Sequence, residues 1–548
     1  MAHPVYGASA AGSVVRGSAA LDPHDLVGRV GTGPATDLPA EVGRDAALVV
    51  YGATAAGVMA AVAAARRGIS TVLLEPGRHI GGMTSGGLGY TDLGERSVIG
   101  GLAREFGQAV AEHYGAALWK FAGPEPHVAE SILSRWLEQA GVETVFDAAL
   151  SRAVVTDGVI SEIVVGGDRR YRGGVFIDAS YEGDLLAAAG VDHLIGREDR
   201  TRHGESLAGR REYAPGMHNF PPWISPFGAG GELLPLIRDA PLAQVGAGDG
   251  GVMAYGYRLC LTSTDRRMPF TRRDGYDPAE WELGRRYFDH LARSRRSLRA
   301  GQMIGLEPNL PNDKCDGNSL GPFSLNLLDG SSWGYPASDR PGRDRIILRH
   351  QHYTLDFLYF LSHDPAVPAS IRAEMSRWGW PLDEFLDTAG LPHQLYVREA
   401  RRMQGEYVLR EQDLRDPATH HSDVVAMGSY HIDIREVQRT WTPVYEHPKP
   451  IPMLFNEGYL SVPVAPYQIP YRCLLPRVEQ CRNLLVPVCL SASHVAFASV
   501  RMETQYQMLG AACGVAAALA LNLGLEVHRV PIPQLQDELL ATGQVLSG

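Results

Sequence analysis

The chain has 548 residues, 45% of them hydrophobic and 21% charged, with a formal net charge of −11. This is ordinary globular composition with room for two or more domains, and it excludes a chain-wide basic surface for nucleic acid or anionic lipid. Six cysteines (Cys260, Cys315, Cys473, Cys481, Cys489, Cys513) form no C-x-x-C pair and lack zinc-ligand spacing, so buried free thiols and no metal site are expected.

Residues 1–45 are rich in Gly, Ala, Ser and Pro without a sustained period and read as a flexible N-terminal extension. They hold no basic segment leading into an apolar core, and no run approaches the roughly 20 apolar residues of a membrane span. A cytoplasmic protein with no membrane partner is expected. From Ala46 a nucleotide-binding unit begins, taken here as residues 46–200. An apolar strand (48–51) runs into Gly52-Ala53-Thr54-Ala55-Ala56-Gly57 and an Ala-rich helix, and Thr71 to Leu74 forms the next strand, ending at Glu75. This is a dinucleotide fingerprint in which Thr54 stands at the second glycine. Gly52 makes the turn, Thr54 is small enough for a phosphate to approach, and Ala56 and Gly57 keep helix and sheet close. Helix N–H groups then face the anion, and Glu75 is placed to hold a ribose hydroxyl.

The run 77–89 is too rich in glycine for a helix or a regular strand, so its backbone approaches something closely. Helices are predicted over 101–114 and 128–140, then a β-meander at 151–156, 159–165 and 169–172 with an Asp157-Gly158 turn. A buried strand at 175–177 ends in Asp178-Ala179-Ser180-Tyr181-Glu182-Gly183-Asp184. Residues 201–450 change to scattered Pro, Trp and Tyr with helices at 353–362 and 395–410, read as a substrate or cap domain. Residues 451–548 return to α/β patterning, with a strand at 483–488 and a helix over 501–523 whose Gly510 and Gly514 permit close packing. The nucleotide domain is therefore expected to be discontinuous. Gly246 to Gly251 matches G-x-G-x-x-G literally, yet lacks the flanking strand and helix and reads as a loop.

With these motifs assembled, the N-terminus resembles the glutathione-reductase-like FAD superfamily. Four segments narrow this: 178–184, 395–403, 469–472 and 483–494. They are similar to the FAD-dependent oxidoreductase family, sometimes mislabelled xanthan-lyase-related. The resemblance covers residues 46 to the C-terminus and departs at Ser180, where Thr is expected, and Thr504, where Pro is expected. It implies an α/β fold: a discontinuous FAD-binding Rossmann domain with a β-meander, plus a mixed α+β substrate or cap domain. It also implies that Glu75 holds the adenosine ribose, that Gly81 and Gly82 lie along the FAD, and that Arg501, Met502, Glu503 and Gly510 begin the helix approaching the isoalloxazine. Pro76, Arg78, Met83, Thr84, Ala179 and Asp184 complete the expected cofactor contacts.

Flavin chemistry asks the protein for a base and an anchor. His494, after the last strand, is the first candidate base; the same residue also reads as ordering its loop by hydrogen bonding. Tyr181 and Glu182 end a buried parallel strand, where α/β ligands bind, and Asp184 either holds a hydroxyl or caps the following helix. Arg398, Arg401 and Arg402 are expected on one helix, as a carboxylate or phosphate clamp or as internal ion pairs; Arg472 and Arg501 carry the same two readings. His350 and His352 would share a face on a strand, and Cys489 is a candidate flavin attachment point. The expected function is an FAD-dependent dehydrogenase or oxidase. It takes hydride from a polar small molecule, sugar-like or a secondary metabolite, and passes electrons to oxygen or a carrier. Alternatives are an FAD monooxygenase using NAD(P)H and a non-redox carbohydrate-binding or lyase-like protein.

Overall fold

The computed structural model describes residues 45–120, 123–214, 216, 218–221, 223–444 and 451–547, so the expected N-terminal extension lies almost wholly outside the described residues. Strand β1 (Leu48–Tyr51) is entirely buried and turns at Gly52, whose φ is +92°. A Cβ there would lie 2.7 Å from the backbone nitrogen of Ser180, so only glycine fits. Helix α1 (Ala55–Ala65) follows, capped by the Thr54 side chain, and returns the chain to β2 (Thr71–Leu74), parallel to β1. Helices α2 (Gly101–His113) and α3 (Pro126–Ala140) lead to β3 (Glu143–Val145).

The meander forms as its turn residues require. Strands β4 (Leu150–Thr156), β5 (Val159–Val165) and β6 (Arg169–Arg172) make an antiparallel sheet, and Asp157 and Gly158 both adopt positive φ (49° and 71°). Strand β7 (Val175–Asp178) then rejoins β1, and α4 (Asp184–Ala188) leaves it. Far along the chain β8 (Leu484–Leu485) adds to β7, which completes a five-stranded parallel sheet in the order β8-β7-β1-β2-β3. This strand is shorter than the expected 483–488, because beyond Leu485 the chain leaves the ladder.

The expected helix 501–523 is α7 (Glu503–Leu523), preceded by a separate α6 (His494–Val500), with Arg501 and Met502 at the break. Helix α7 lies directly on α1: a Cβ at Gly510 would collide with the Ala56 carbonyl oxygen, and one at Gly514 with that of Ala60. By length and composition α7 is apolar enough to cross a membrane, which corrects the expectation that no window qualified. Its apolarity has a local cause, since most of it is buried against α1 and neighbouring core.

Two other expectations fail. Residues 395–410 form no helix; the segment is extended, with a two-residue strand at Arg402–Met403. Backbone N–H groups go to distant chains instead: Tyr396 to Gly256, Met403 to Cys489 and Gln404 to Asp192. Tertiary hydrogen bonds here override a helical charge pattern. His350 and His352 lie on helix α5 (Arg340–His363), where positions two apart point about 200° from each other, so they do not share a face. The literal glycine motif at 246–251 is a loop, as expected. All six cysteines are free and buried.

Candidate active site

A cavity of about 590 Å³ opens at the carboxyl ends of the parallel strands. Gly52 and Thr54 line it after β1, Glu75 to His79 after β2, and Ser180 to Glu182 with Asp184 after β7. Tyr335 and Arg343 from mid-chain and Leu395 and Arg401 from the extended segment close its other wall.

One end has the features a nucleotide cradle needs. Both Glu75 oxygens are engaged by backbone, accepting from Ala53 N–H at 2.8 Å and Gly77 N–H at 2.7 Å. Burial outweighs these bonds and pushes its carboxyl up to about 7. Thr54, at the motif's second position, donates to the Ala179 carbonyl at 2.7 Å and accepts from Gly57 N–H at 3.3 Å. Its hydroxyl is satisfied by the turn itself, so the smaller glycine is not required. Pro76 and Gly82 line the cavity; Arg78 also does, its side chain pairing with Asp147 at 3.2 Å near solvent. Ala56, Gly57, Gly81 and Ala179 sit one layer behind, and Met502 and Gly510 shape α7 against α1 without reaching the cavity. The glycine turn, helix N-terminus, buried acid and cavity size fit FAD, whose site falls in the usual range of about 300–1,000 Å³.

Between the Gly-rich run and α7 lies a buried relay. Tyr181 accepts from Met83 N–H at 2.9 Å and donates to Glu503 Oε1 at 2.7 Å, while Thr84 donates to Oε2 at 2.9 Å. Burial pushes the Glu503 carboxyl up to about 7, against both hydrogen bonds. The sequence named Glu503 only as a helix start. Its one signal was an acid beginning an otherwise apolar helix. Because the folded carboxyl keeps a proton that the unfolded chain releases from about pH 4.5, stability falls as pH rises from about 4.5 to about 7. Glu503→Gln should therefore stabilise the apoprotein at pH 8 by up to about 3 kcal/mol and change little at pH 5. Urea unfolding at the two pH values tests this; an equal difference at both would refute it.

Glu182 accepts from Tyr335 at 2.9 Å, and burial raises its carboxyl while Arg343 opposes. Asp184 pairs with Arg343 at 2.7 Å and Arg401 at 3.0 Å, which hold its carboxyl low against burial. It does not cap α4. Gly183 is the cap residue, and Asp178 accepts from Leu186 N–H at 2.8 Å.

His494 begins α6, fully enclosed, with Nδ1 2.8 Å from Glu399 Oε1 and Nε2 without a partner among the described residues. Arg402 is also enclosed, paired with Glu399 and with Glu198 at 2.7 Å. Neither lines the cavity, and Arg402 takes the internal ion-pair reading. Arg398 does not share a helix face with it, since no helix is there. Arg501 donates to Tyr396 at 3.0 Å and pairs with Asp433 at 3.0 Å; Arg472 pairs with Asp423 at 2.9 Å. The Cys489 thiol donates to the Tyr181 carbonyl at 3.3 Å, and burial pushes it well up. Elsewhere Glu125, His127 and Glu384 converge in a metal-like cluster. The Lys314 ammonium already sits among them, 2.6 Å from Glu125 and 2.7 Å from Glu384.

A family model described as FAD dependent oxidoreductase matches residues 47–539. No curated protein matches the chain. Among solved structures, a 3-ketosteroid dehydrogenase from Rhodococcus jostii RHA1 is similar at 20% identity over 27% of this chain and 48% of its own, with TM-score 0.19. A thioredoxin reductase from Streptococcus pyogenes MGAS5005 is similar at 14% identity over 24% of this chain and 34% of its own, with TM-score 0.18. The chain thus spans about half or less of the length of these structures.

Proposed function

The chain belongs to the FAD dependent oxidoreductase family, and from this premise we propose that it is a dehydrogenase or oxidase. It takes a hydride from a C–H of a polar small molecule and passes the electrons to oxygen or a carrier. Bound FAD supplies the hydride acceptor. Gly52, Thr54, Glu75 and the N-terminus of α1 would hold it, with Gly82 alongside. The parallel βαβ start, the meander and the return of β8 and α7 support a glutathione-reductase-like nucleotide domain of residues 46–200 and 451–548, with 201–450 as the substrate region.

The observation that carries the reading is the Tyr181–Glu503 pair, since Tyr181 lines the cavity and Glu503 holds a carboxyl poised near neutrality. A proton leaving the substrate's oxygen or nitrogen moves to the Tyr181 oxygen as the Tyr181 proton moves to Glu503 Oε1. Glu182, Tyr335, Asp184 and Arg401 give polar groups that orient the substrate, while His494, Glu399 and Arg402 brace the wall behind them.

The test is anaerobic addition of polar metabolites to the FAD-loaded protein, where an oxidisable substrate bleaches the flavin band. Tyr181→Phe should keep its FAD and lose about 10²-fold or more in kcat. A purified protein that takes up no flavin on reconstitution, or a Tyr181→Phe variant with full turnover, would count against the assignment.

A further inference from the structure

Arg398 is buried, yet no carboxylate among the described residues pairs with it. Its Nη1 donates to the Ala254 carbonyl, and its guanidinium lies over the Tyr396 ring, 4.3 Å from the centroid. Two more guanidinia stand near: Arg501 donates to the hydroxyl of the same Tyr396 ring at 3.0 Å, and Arg435 follows two residues after Asp433, the partner of Arg501; burial first, then these two cations, against Tyr396 and Glu436, bring Arg398 down to about 9. Among the described residues, two carboxylates face the three cations. Asp433 pairs with Arg501 at 3.0 Å, and Glu436 lies 3.5 Å from Arg435 while also taking His218 at 2.7 Å. The Nε of Arg501 and the Nε2 of Gln505 are buried without hydrogen-bond partners among the described residues.

A buried guanidinium without a counter-ion is strongly unfavourable, and unpaired donors around it add to the penalty. The arrangement becomes favourable when an anion enters. Counting groups ionised throughout the neutral range, three cations against two carboxylates leave one charge, which a single carboxylate balances and a doubly charged phosphate does not. Planar guanidinium forks also match a carboxylate. None of the three arginines lines the cavity; the cluster lies behind its wall, where Arg398 holds the Ala254 carbonyl and the next ring, Tyr255, packs 5.4 Å from that of Tyr335, which does line it.

We propose that Arg398, Arg435 and Arg501 form a carboxylate-binding site beside the cavity, and that the oxidised substrate carries one carboxylate. The second half rests on the oxidation reading above; the first does not. The probes are benzoate, acetate, inorganic phosphate and neutral benzamide, titrated by calorimetry into the FAD-loaded protein. Benzoate and acetate should bind and benzamide should not. Arg398→Met should weaken benzoate by about 30-fold or more, the usual effect of removing one member of a buried charge pair. If Arg398→Met does not fold, Arg398→Lys keeps the charge without the fork and should weaken benzoate less. In the wild-type protein, benzoate should also protect Arg398 from phenylglyoxal, read by peptide mass spectrometry.

Benzoate bound equally by the wild type and the variant, benzamide bound as well as benzoate, or no protection of Arg398 would overturn the site. Phosphate bound more tightly than either carboxylate would overturn the carboxylate class. Flavin bleaching by a neutral substrate, with no benzoate binding, would defeat this inference and leave the oxidation standing. Benzoate binding with no bleaching by any metabolite would support the site and defeat the oxidation.

Discussion

Replacing Arg402 with alanine is expected to cost about 3–5 kcal/mol of stability, as loss of one partner from a buried ionic network does. Arg402 is 0% exposed and serves two carboxylates and two carbonyls: Glu198 at 2.7 Å, Glu399, the Gly196 oxygen at 2.7 Å and the Ala492 oxygen at 3.2 Å. Burial acts to raise both carboxyls, and Arg402 with His494 keeps them below their usual value. Without Arg402, buried Glu198 loses its main cation, and Glu399, left with its His494 contact, is no longer held in place by a second partner. Some of the loss should be recovered on protonation, so Arg402→Ala should lose less stability relative to wild type at pH 4 than at pH 7. The sign follows from linkage: a carboxyl held low stabilises the fold above its unfolded value and loses that contribution as pH falls. Urea unfolding of the FAD-loaded proteins measures it. A change under about 1 kcal/mol at pH 7 would mean the network is not what holds this wall together.

Gly510→Leu is expected to abolish FAD retention. Helices α7 and α1 cross where Gly510 meets the Ala56 carbonyl, so the added carbon strikes backbone and not a side chain that can swing away. Overpacking a core costs about 1–3 kcal/mol where side chains can adjust, and more is expected against a main chain. Ala56 is in the first turn of α1, so separating the helices moves the N-terminus that faces the cofactor phosphates. Even Gly510→Ala should lower the flavin-to-protein absorbance ratio of the purified protein several-fold. Gly250→Ala provides the contrast. It lies within the literal G-x-G-x-x-G match, yet a Cβ there meets nothing within 4 Å. That variant should keep its flavin with stability changed by less than about 0.5 kcal/mol. Equal flavin content in Gly510→Leu and wild type would show that the helix crossing does not set the cradle.

The βαβ start and the meander were legible because each rests on local chemistry. A glycine turn, a run of alanines and an Asp157-Gly158 hairpin act through their own backbones, within a few residues. The return of β8 and α7 was legible too, as a strand and a helix with packing glycines, although their bounds shifted. The segment 395–403 was misread for the opposite reason. Its arginines and glutamate satisfy a helical spacing, and Arg402 does meet Glu399 three residues away, but the other partners lie far off in sequence: Arg402 also finds Glu198 at 204 residues' separation and His494 finds Glu399 at 95. No periodicity within the segment carries that information.

By itself, then, the sequence determined the strand–turn–helix unit at Leu48 to Leu74, because turn geometry, helix packing and strand burial are written in residue size and backbone freedom. Only the tertiary structure decided which charged groups meet, and which line the cavity or lie behind it. Tyr181 reaches Glu503 across 322 residues, and Arg398 is left without a counter-ion, because ionisation depends on burial and on partners that the fold alone brings together.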